Sequence, residues 1–245
     1  MVDRLVTISV DDGHPTDLRT AELLEQFGLA ATFYIPARNP ERELLSKAQI
    51  RELASRFEIG GHTLNHTSLK SLPEARAWTE IYEGKAWMED VVGTSLISFC
   101  YPRGKFDRQS VQLVRKAGFR GARTCLLNLH DFPKNPFLWG VSSHACWHSK
   151  VIQVRHALLE GNLRGARNFF QIYKGETDWQ TQFLHGLDHV CTHGGIAHLY
   201  LHSWEIDAHS HWDKLEAVFR GVAERDGLTR ISNGDLFKLY PQSIN

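Results

Sequence analysis

The chain has 245 residues, and 28 Lys plus Arg against 28 Asp plus Glu leave a formal net charge of zero. A neutral chain lacks the cationic surplus that nucleic acids and anionic surfaces require, and 42% apolar with 23% charged residues is a globular composition that excludes a disordered chain. Cys100, Cys125, Cys146 and Cys191 form no CxxC pair, which excludes a small disulfide scaffold and reads as reduced, buried thiols.

The opening segment Met1-Val2-Asp3-Arg4 runs straight into Leu5–Val10 and carries no export signal. No apolar run reaches the roughly 18 residues that span a bilayer, so the expectation is a cytoplasmic protein without a membrane span.

Strand and helix patterns then alternate. Leu5–Val10 is a β-rich run, and Thr16–Phe27 carries Leu18, Ala21, Leu23, Leu24 and Phe27 at helical spacing before Gly28. Ala31–Ile35 is a second strand. Ser46 and Gln49 form a capping-box pattern ahead of Ile50 and Leu53, and a short strand at Phe57–Ile59 ends at Gly60-Gly61. Ser71 and Glu74 suggest another capping box, with Pro73 in the first turn of a helix to about Val92. Ile97–Tyr101 reads as a strand, Asp107–Ala117 as a helix, and Phe119–Arg123 and Leu138–Ser142 as strands. Helical patterns follow at Val151–Leu159, Leu163–Tyr173 and Trp179–Cys191, then a strand at Ile196–Leu201 and a helix from about Ser210 to Arg225. A small strand, Arg230–Ser232, and a short helix capped by Asn233 close the chain.

Repeated strand–helix units imply a parallel sheet. With seven or eight strands and no linker, one domain over residues 1–245 is the economical expectation, closed as a barrel. The helical region 147–192 exceeds one crossover and is expected to be an insertion, acting as a lid or an interface element.

Four polar clusters follow predicted strands: Asp11-Asp12-Gly13, His62-Thr63-Leu64-Asn65-His66, Tyr101-Pro102-Arg103-Gly104 and His202-Ser203-Trp204-Glu205. In a parallel barrel the C-terminal ends of all strands open at one mouth, where the active sites of such folds lie. Two histidines, one carboxylate and an open position make a common catalytic zinc arrangement, in which bound water is acidified to a pKa of about 7. His62, His66 and Asp12 can supply those ligands, Asp11 can act as base, and His202, arriving from another strand, can act as acid. The stripe His185, His189 and His193 offers a competing metal reading, although spacing of this kind more often marks a solvated helix face.

Ser9-Val10-Asp11-Asp12-Gly13, His62-Thr63-Leu64-Asn65-His66, Phe99-Cys100-Tyr101-Pro102-Arg103-Gly104 and Leu199-Tyr200-Leu201-His202 resemble, in that order, the motifs of the polysaccharide deacetylases with a NodB homology domain, a carbohydrate esterase type. The resemblance spans residues 5 to about 240. It implies a distorted (β/α)7 barrel and hydrolysis of an N-acetyl group on a sugar, oligosaccharide or polysaccharide precursor. It also implies one divalent ion, zinc with cobalt or nickel as alternatives. It assigns Asp11 as base, Asp12, His62 and His66 as metal ligands, the Tyr101 backbone N–H as an oxyanion donor and His202 as acid. Arg103 and Trp204 are candidate carbohydrate contacts.

Two departures stand out. Many members carry an arginine, which orients the base, where this chain has Cys100, and only Arg103 lies nearby. The family's fourth-motif aspartate, which tunes the acid, has no clear match, although His144 and Trp147 lie in the corresponding region. These gaps motivate a catalytically silent sugar-binding module as a rival, beside cyclic amide or ureide hydrolysis on the same fold. The sequence names neither the sugar nor the oligomeric state.

Overall fold

The apolar run after Arg4 becomes the central strand β1 (Arg4–Asp11), buried at every position beyond its first, as a strand covered on both faces must be. A computed structural model describes residues 3–239. The chain alternates through α1 (Asp17–Gln26), β2 (Thr32–Ile35), α2 (Lys47–Ala54), β3 (Glu58–Gly61), α3 (Glu74–Val92), β4 (Ser98–Cys100), α4 (Arg108–Lys116) and β5 (Gly121–Arg123). Then come β6 (Ser143–His144), α5 (Lys150–Leu159), α6 (Leu163–Gln171), α7 (Trp179–His193), β7 (Gly195–Leu201), α8 (Ser203–Ala208), α9 (Trp212–Ala223), β8 (Thr229–Arg230) and α10 (Asn233–Lys238).

The pairings are parallel, in the order β5-β4-β3-β2-β1-β7-β6. β8 pairs the lower half of β1, Leu5 against Thr229, and leaves Ser9 onward to β2. This is the curled, distorted seven-stranded barrel that the resemblance implies. The closing strand is more broken than Leu138–Ser142 predicts. Trp139 bridges Arg123 of β5, whereas Ser143 and His144 pair β7. Between them, the Val141 amide donates to the Leu126 carbonyl at 2.9 Å and its carbonyl accepts from Leu129 at 3.0 Å, so a local loop takes the groups a continuous ladder would use.

Local chemistry decides several element ends. The Ser46–Gln49 capping box forms as predicted. The Ser71–Glu74 box does not: α3 starts at Glu74 with Pro73 as its cap, and the Ser71 amide instead donates to Asp107 Oδ2 at 2.9 Å. α10 is capped by Ser232, not Asn233. Asn233 is driven into the barrel floor, accepting from Thr7 Oγ1 at 2.5 Å and donating to the Tyr34 hydroxyl at 2.9 Å. The sequence pattern also missed α8, which begins directly after His202.

The predicted insertion is shorter than 147–192. α7 packs on β1, β6 and β7 as an ordinary crossover helix, which leaves α5 and α6 as the added pair. The end of α5 borders the mouth, where Glu160 meets Lys105 at 3.8 Å. Among the described residues, no helix is long and apolar enough to cross a membrane.

Candidate active site

Asp11 is the last residue of β1, and Asp12 turns the chain over the mouth with φ at +83°. Thr63 (φ +68°) and His66 (φ +53°) share this left-handed region, which side chains with a Cβ rarely adopt and which concentrates where surrounding structure enforces function. The enforcement comes from α3. A Cβ on Gly84 would sit 2.6 Å from both the Thr63 carbonyl carbon and the Leu64 nitrogen, so the helix backbone presses directly on the histidine loop. One turn earlier, Glu80 accepts from the Asn65 amide and from Asn65 Nδ2, both at 2.9 Å. Asn65 thus serves to anchor the loop.

His62 donates its Nδ1–H to the Cys100 carbonyl at 2.9 Å, which leaves Nε2 unprotonated and free to coordinate. Asp12 Oδ1 faces His66 Nε2 at 3.1 Å and His62 Nε2 at 3.6 Å. Its other oxygen, Oδ2, accepts from Trp204 Nε1 at 3.0 Å. The three ligand atoms lie within 4.8 Å of one another, and all three residues are buried. Two imidazole nitrogens and a carboxylate oxygen converge on one point, and the buried Asp12 Oδ1 has no hydrogen-bond partner. That donor set fits a divalent cation with an open position. Burial opposes the Asp12 charge, yet His62, His66 and His202 beside it hold its carboxyl far below the usual range.

Beside this cluster, the buried guanidinium of Arg123 donates from Nη2 to Asp11 Oδ2. Arg123 ends β5 in register with Cys100 of β4, and its guanidinium lies 4.7 Å from the Tyr200 ring centroid and 5.3 Å from that of Tyr34. The arginine absent at position 100 is therefore supplied one strand over, and the small Cys100 leaves room for it. Burial alone would raise the Asp11 carboxyl, but Arg123, His62 and His202 pull it below its ordinary value. Asp11 Oδ1 remains without a partner, buried and facing no donor.

His202 caps α8, with Nε2 at 3.9 Å from Asp12 Oδ2 and Nδ1 at 2.8 Å from Glu205 Oε2. Burial disfavours its charge, but the bond to Glu205 and the carboxylates of Asp12, Glu205 and Asp11 outweigh it and raise the imidazole to about 9. Glu205 stands at His202 Nδ1, where the absent fourth-motif acid is expected. Glu205 also accepts from His144 Nε2 at 2.9 Å, so His144, though no substitute for that acid, belongs to the same network. Burial lowers the His144 imidazole to about 4, so it is neutral there. Nearby, the first-turn Asp17 of α1 accepts from the Ser203 hydroxyl. Burial, helped by Asp12 and Asp11, lifts its carboxyl well above the ordinary range.

Two expectations need correction. The Tyr101 amide donates to the Arg123 carbonyl at 3.2 Å as part of the sheet, and the buried Tyr101 hydroxyl donates to the Phe137 carbonyl; neither group points to a substrate. Trp204 does not offer an open ring, because its N–H holds Asp12 and the Arg42 guanidinium lies 3.3 Å over its face. Arg103, expected as a carbohydrate contact, is exposed and paired with Glu41 at the rim.

His185, His189 and His193 do not converge: none of them belongs to any of the four groups of potential metal ligands among the described residues. His189 and His193 stack at 4.5 Å, and the stripe lines a cleft of about 640 Å³ near Gly194, at the opposite end of β7 from His202.

Residues 1–122 match a family model described as polysaccharide deacetylase. A Bacillus cereus peptidoglycan-N-acetylglucosamine deacetylase is 27% identical over 153 residues, covering 60% of this chain and 69% of that protein. A Bacillus subtilis protein assigned to the polysaccharide deacetylases is 22% identical over 121 residues, 48% of this chain. The match spans less than half, 43%, of that relative's length. Among solved structures, a family 4 acetyl xylan esterase from Clostridium thermocellum, in complex with a cobalt ion, superposes with a TM-score of 0.60 at 16% identity, over 96% of this chain and 91% of that one.

Proposed function

This chain belongs to the polysaccharide deacetylase family, and on that premise we propose that it is a metal-dependent hydrolase that removes N-acetyl groups from an N-acetylated sugar, oligosaccharide or polysaccharide precursor. The observation that carries the reading is the convergence of Asp12, His62 and His66 within 4.8 Å, flanked by the unengaged Asp11 Oδ1 on one side and His202 on the other.

Asp12 Oδ1 and the Nε2 atoms of His62 and His66 would hold the cation, zinc with cobalt or nickel as alternatives. When bound, it supplies Lewis acidity toward the acetyl carbonyl and makes solvent more acidic. Asp11, kept ionised by Arg123, takes the proton of the attacking water at Oδ1. His202 enters protonated and gives its Nε2 proton to the departing amine nitrogen, while Glu205 holds Nδ1–H and fixes the ring. Trp204 binds Asp12 Oδ2 and so turns Oδ1 toward the histidines. The silent-module rival rests on a missing arginine and a missing acid; Arg123 and Glu205 stand in both places.

The test is acetate release. Purified protein loaded with zinc, cobalt or nickel should liberate acetate from N-acetylglucosamine oligomers, and Asp11→Asn should lose that activity while keeping its metal. A fully loaded protein that releases no acetate from any N-acetylated sugar would overturn the reading, and ring opening of a cyclic amide in its place would select the other hydrolase.

A further inference from the structure

A second group of potential ligands lies beyond His202, and the catalytic scheme does not use it. His144 ends β6, and Cys146 and His148 follow on a bent segment in which the Cys146 amide donates to the His144 carbonyl at 2.7 Å; one donor atom from each of the three lies within 4.8 Å of the other two. His144 Nδ1 and His148 Nε2 are 2.9 Å apart. The His144 ring is fixed in plane by stacking on Tyr200, with centroids at 4.1 Å and an interplanar angle of 7°. Its far nitrogen, Nε2, donates to Glu205 Oε2 at 2.9 Å. A carboxylate behind a histidine, holding the tautomer that leaves the near nitrogen free, is the usual outer support of a metal-bound imidazole.

We propose that His144 Nδ1, Cys146 Sγ and His148 Nε2 form a second cation site, selective for zinc and chemically similar thiophilic ions. Two imidazoles and a thiolate are the donor set that such ions prefer over magnesium or calcium. Three protein donors leave one tetrahedral position for solvent or an external ligand. Loading releases the Cys146 thiol proton to solvent and moves the His148 proton from Nε2 to Nδ1, so both imidazoles bind the cation as neutral ligands. The bond from His144 Nε2 to Glu205 is preserved. The site does not draw on Asp12, His62 or His66, and it depends on no assumption about the substrate. Glu205 links it to the catalytic acid, because the same Oε2 accepts from His202.

The experiment uses the full chain carrying Asp12→Asn, which disables the first site, titrated with Co(II) and followed by absorption. The expected result is one equivalent of tetrahedral cobalt with a thiolate-to-cobalt charge-transfer band. Cys146→Ser in that background should abolish the band. His148→Ala should weaken cobalt binding at least about tenfold, since even the loss of an outer partner costs 10–100-fold; unchanged circular dichroism and melting temperature would show that the variant is folded. Absence of the band in Asp12→Asn overturns the proposal. So does a band that survives Cys146→Ser, which would place the thiolate at another cysteine. Failure of deacetylation alone leaves the cobalt result intact, so the two readings fail separately.

Discussion

Arg123 and Asp11 meet inside the barrel from strands that three others separate in the sheet. Both are almost fully buried, so each charge depends on the other. Removing one partner of such a pair strands the other, at a cost of about 3–5 kcal/mol. Arg123→Met should therefore lower stability by about that amount in denaturant unfolding, and Arg123→Met with Asp11→Asn should recover part of the loss. Full additivity of the two single changes would argue against the coupling. Acetate release by Arg123→Lys should fall by up to about 10²-fold, the scale of an ångström-level misplacement of a catalytic group. Metal content should stay unchanged, because Arg123 touches none of the ligands.

Glu205 sets the alkaline limit. His202 must carry a proton to act as acid, and its folded value is raised to about 9 against burial by Glu205 and neighbouring carboxylates. A raised value means that the competent form is fully present at lower pH and is lost as pH rises through it. Glu205→Gln removes one of the raising charges, so the descending limb of kcat against pH should move to lower pH. Coincident limbs in parent and variant would remove Glu205 from the role.

Gly84 has no room for a side chain, since a Cβ would meet backbone atoms of Thr63 and Leu64 at 2.6 Å. Backbone cannot swing aside as a side-chain tip can. Gly84→Ala should cost about 1–3 kcal/mol, the usual range for overpacking, and should also weaken metal binding, because the displaced loop carries His62 and His66. Calorimetry and metal titration read the two effects. A destabilised protein with parental affinity would separate α3 from the site.

Chelation gives a further check. Dialysis against a strong chelator should abolish acetate release, and added zinc or cobalt should restore it, whereas Asp12→Asn should resist restoration at concentrations that rescue the parent. Removing the cation leaves Asp12, His62 and His66 close together without it, so the melting temperature should also drop on chelation.

The motifs at strand ends were legible because they lie close together in the chain: Asp11-Asp12 on one turn, His62 and His66 on one loop. The barrel followed from strand–helix alternation. Arg123 and Glu205 escaped for different reasons. Arg123 reads as one of two arginines on a short strand, and only the folded barrel shows it reaching Asp11. Its charge at an inward strand position was the available signal. Glu205 was visible three residues after His202, but that spacing has meaning only on α8, a six-residue helix too short for periodicity to reveal. Tyr101 misled because a sequence shows which residue follows a strand and not where its amide is spent.

The barrel closes through a seam rather than a full strand. Trp139 and Ala122 share one side, while Ser142 and Ala145 donate to His198 and Tyr200 at 2.9 Å on the other. Few backbone bonds hold this stretch, so hydrogen exchange should find the Ser142 and Ala145 amides opening before those of Val6–Val10 at the sheet centre. The same stretch carries His144, Cys146 and His148. A cation gripped there would act as a clasp on the joint, and slower exchange along the seam upon zinc addition would register its closing.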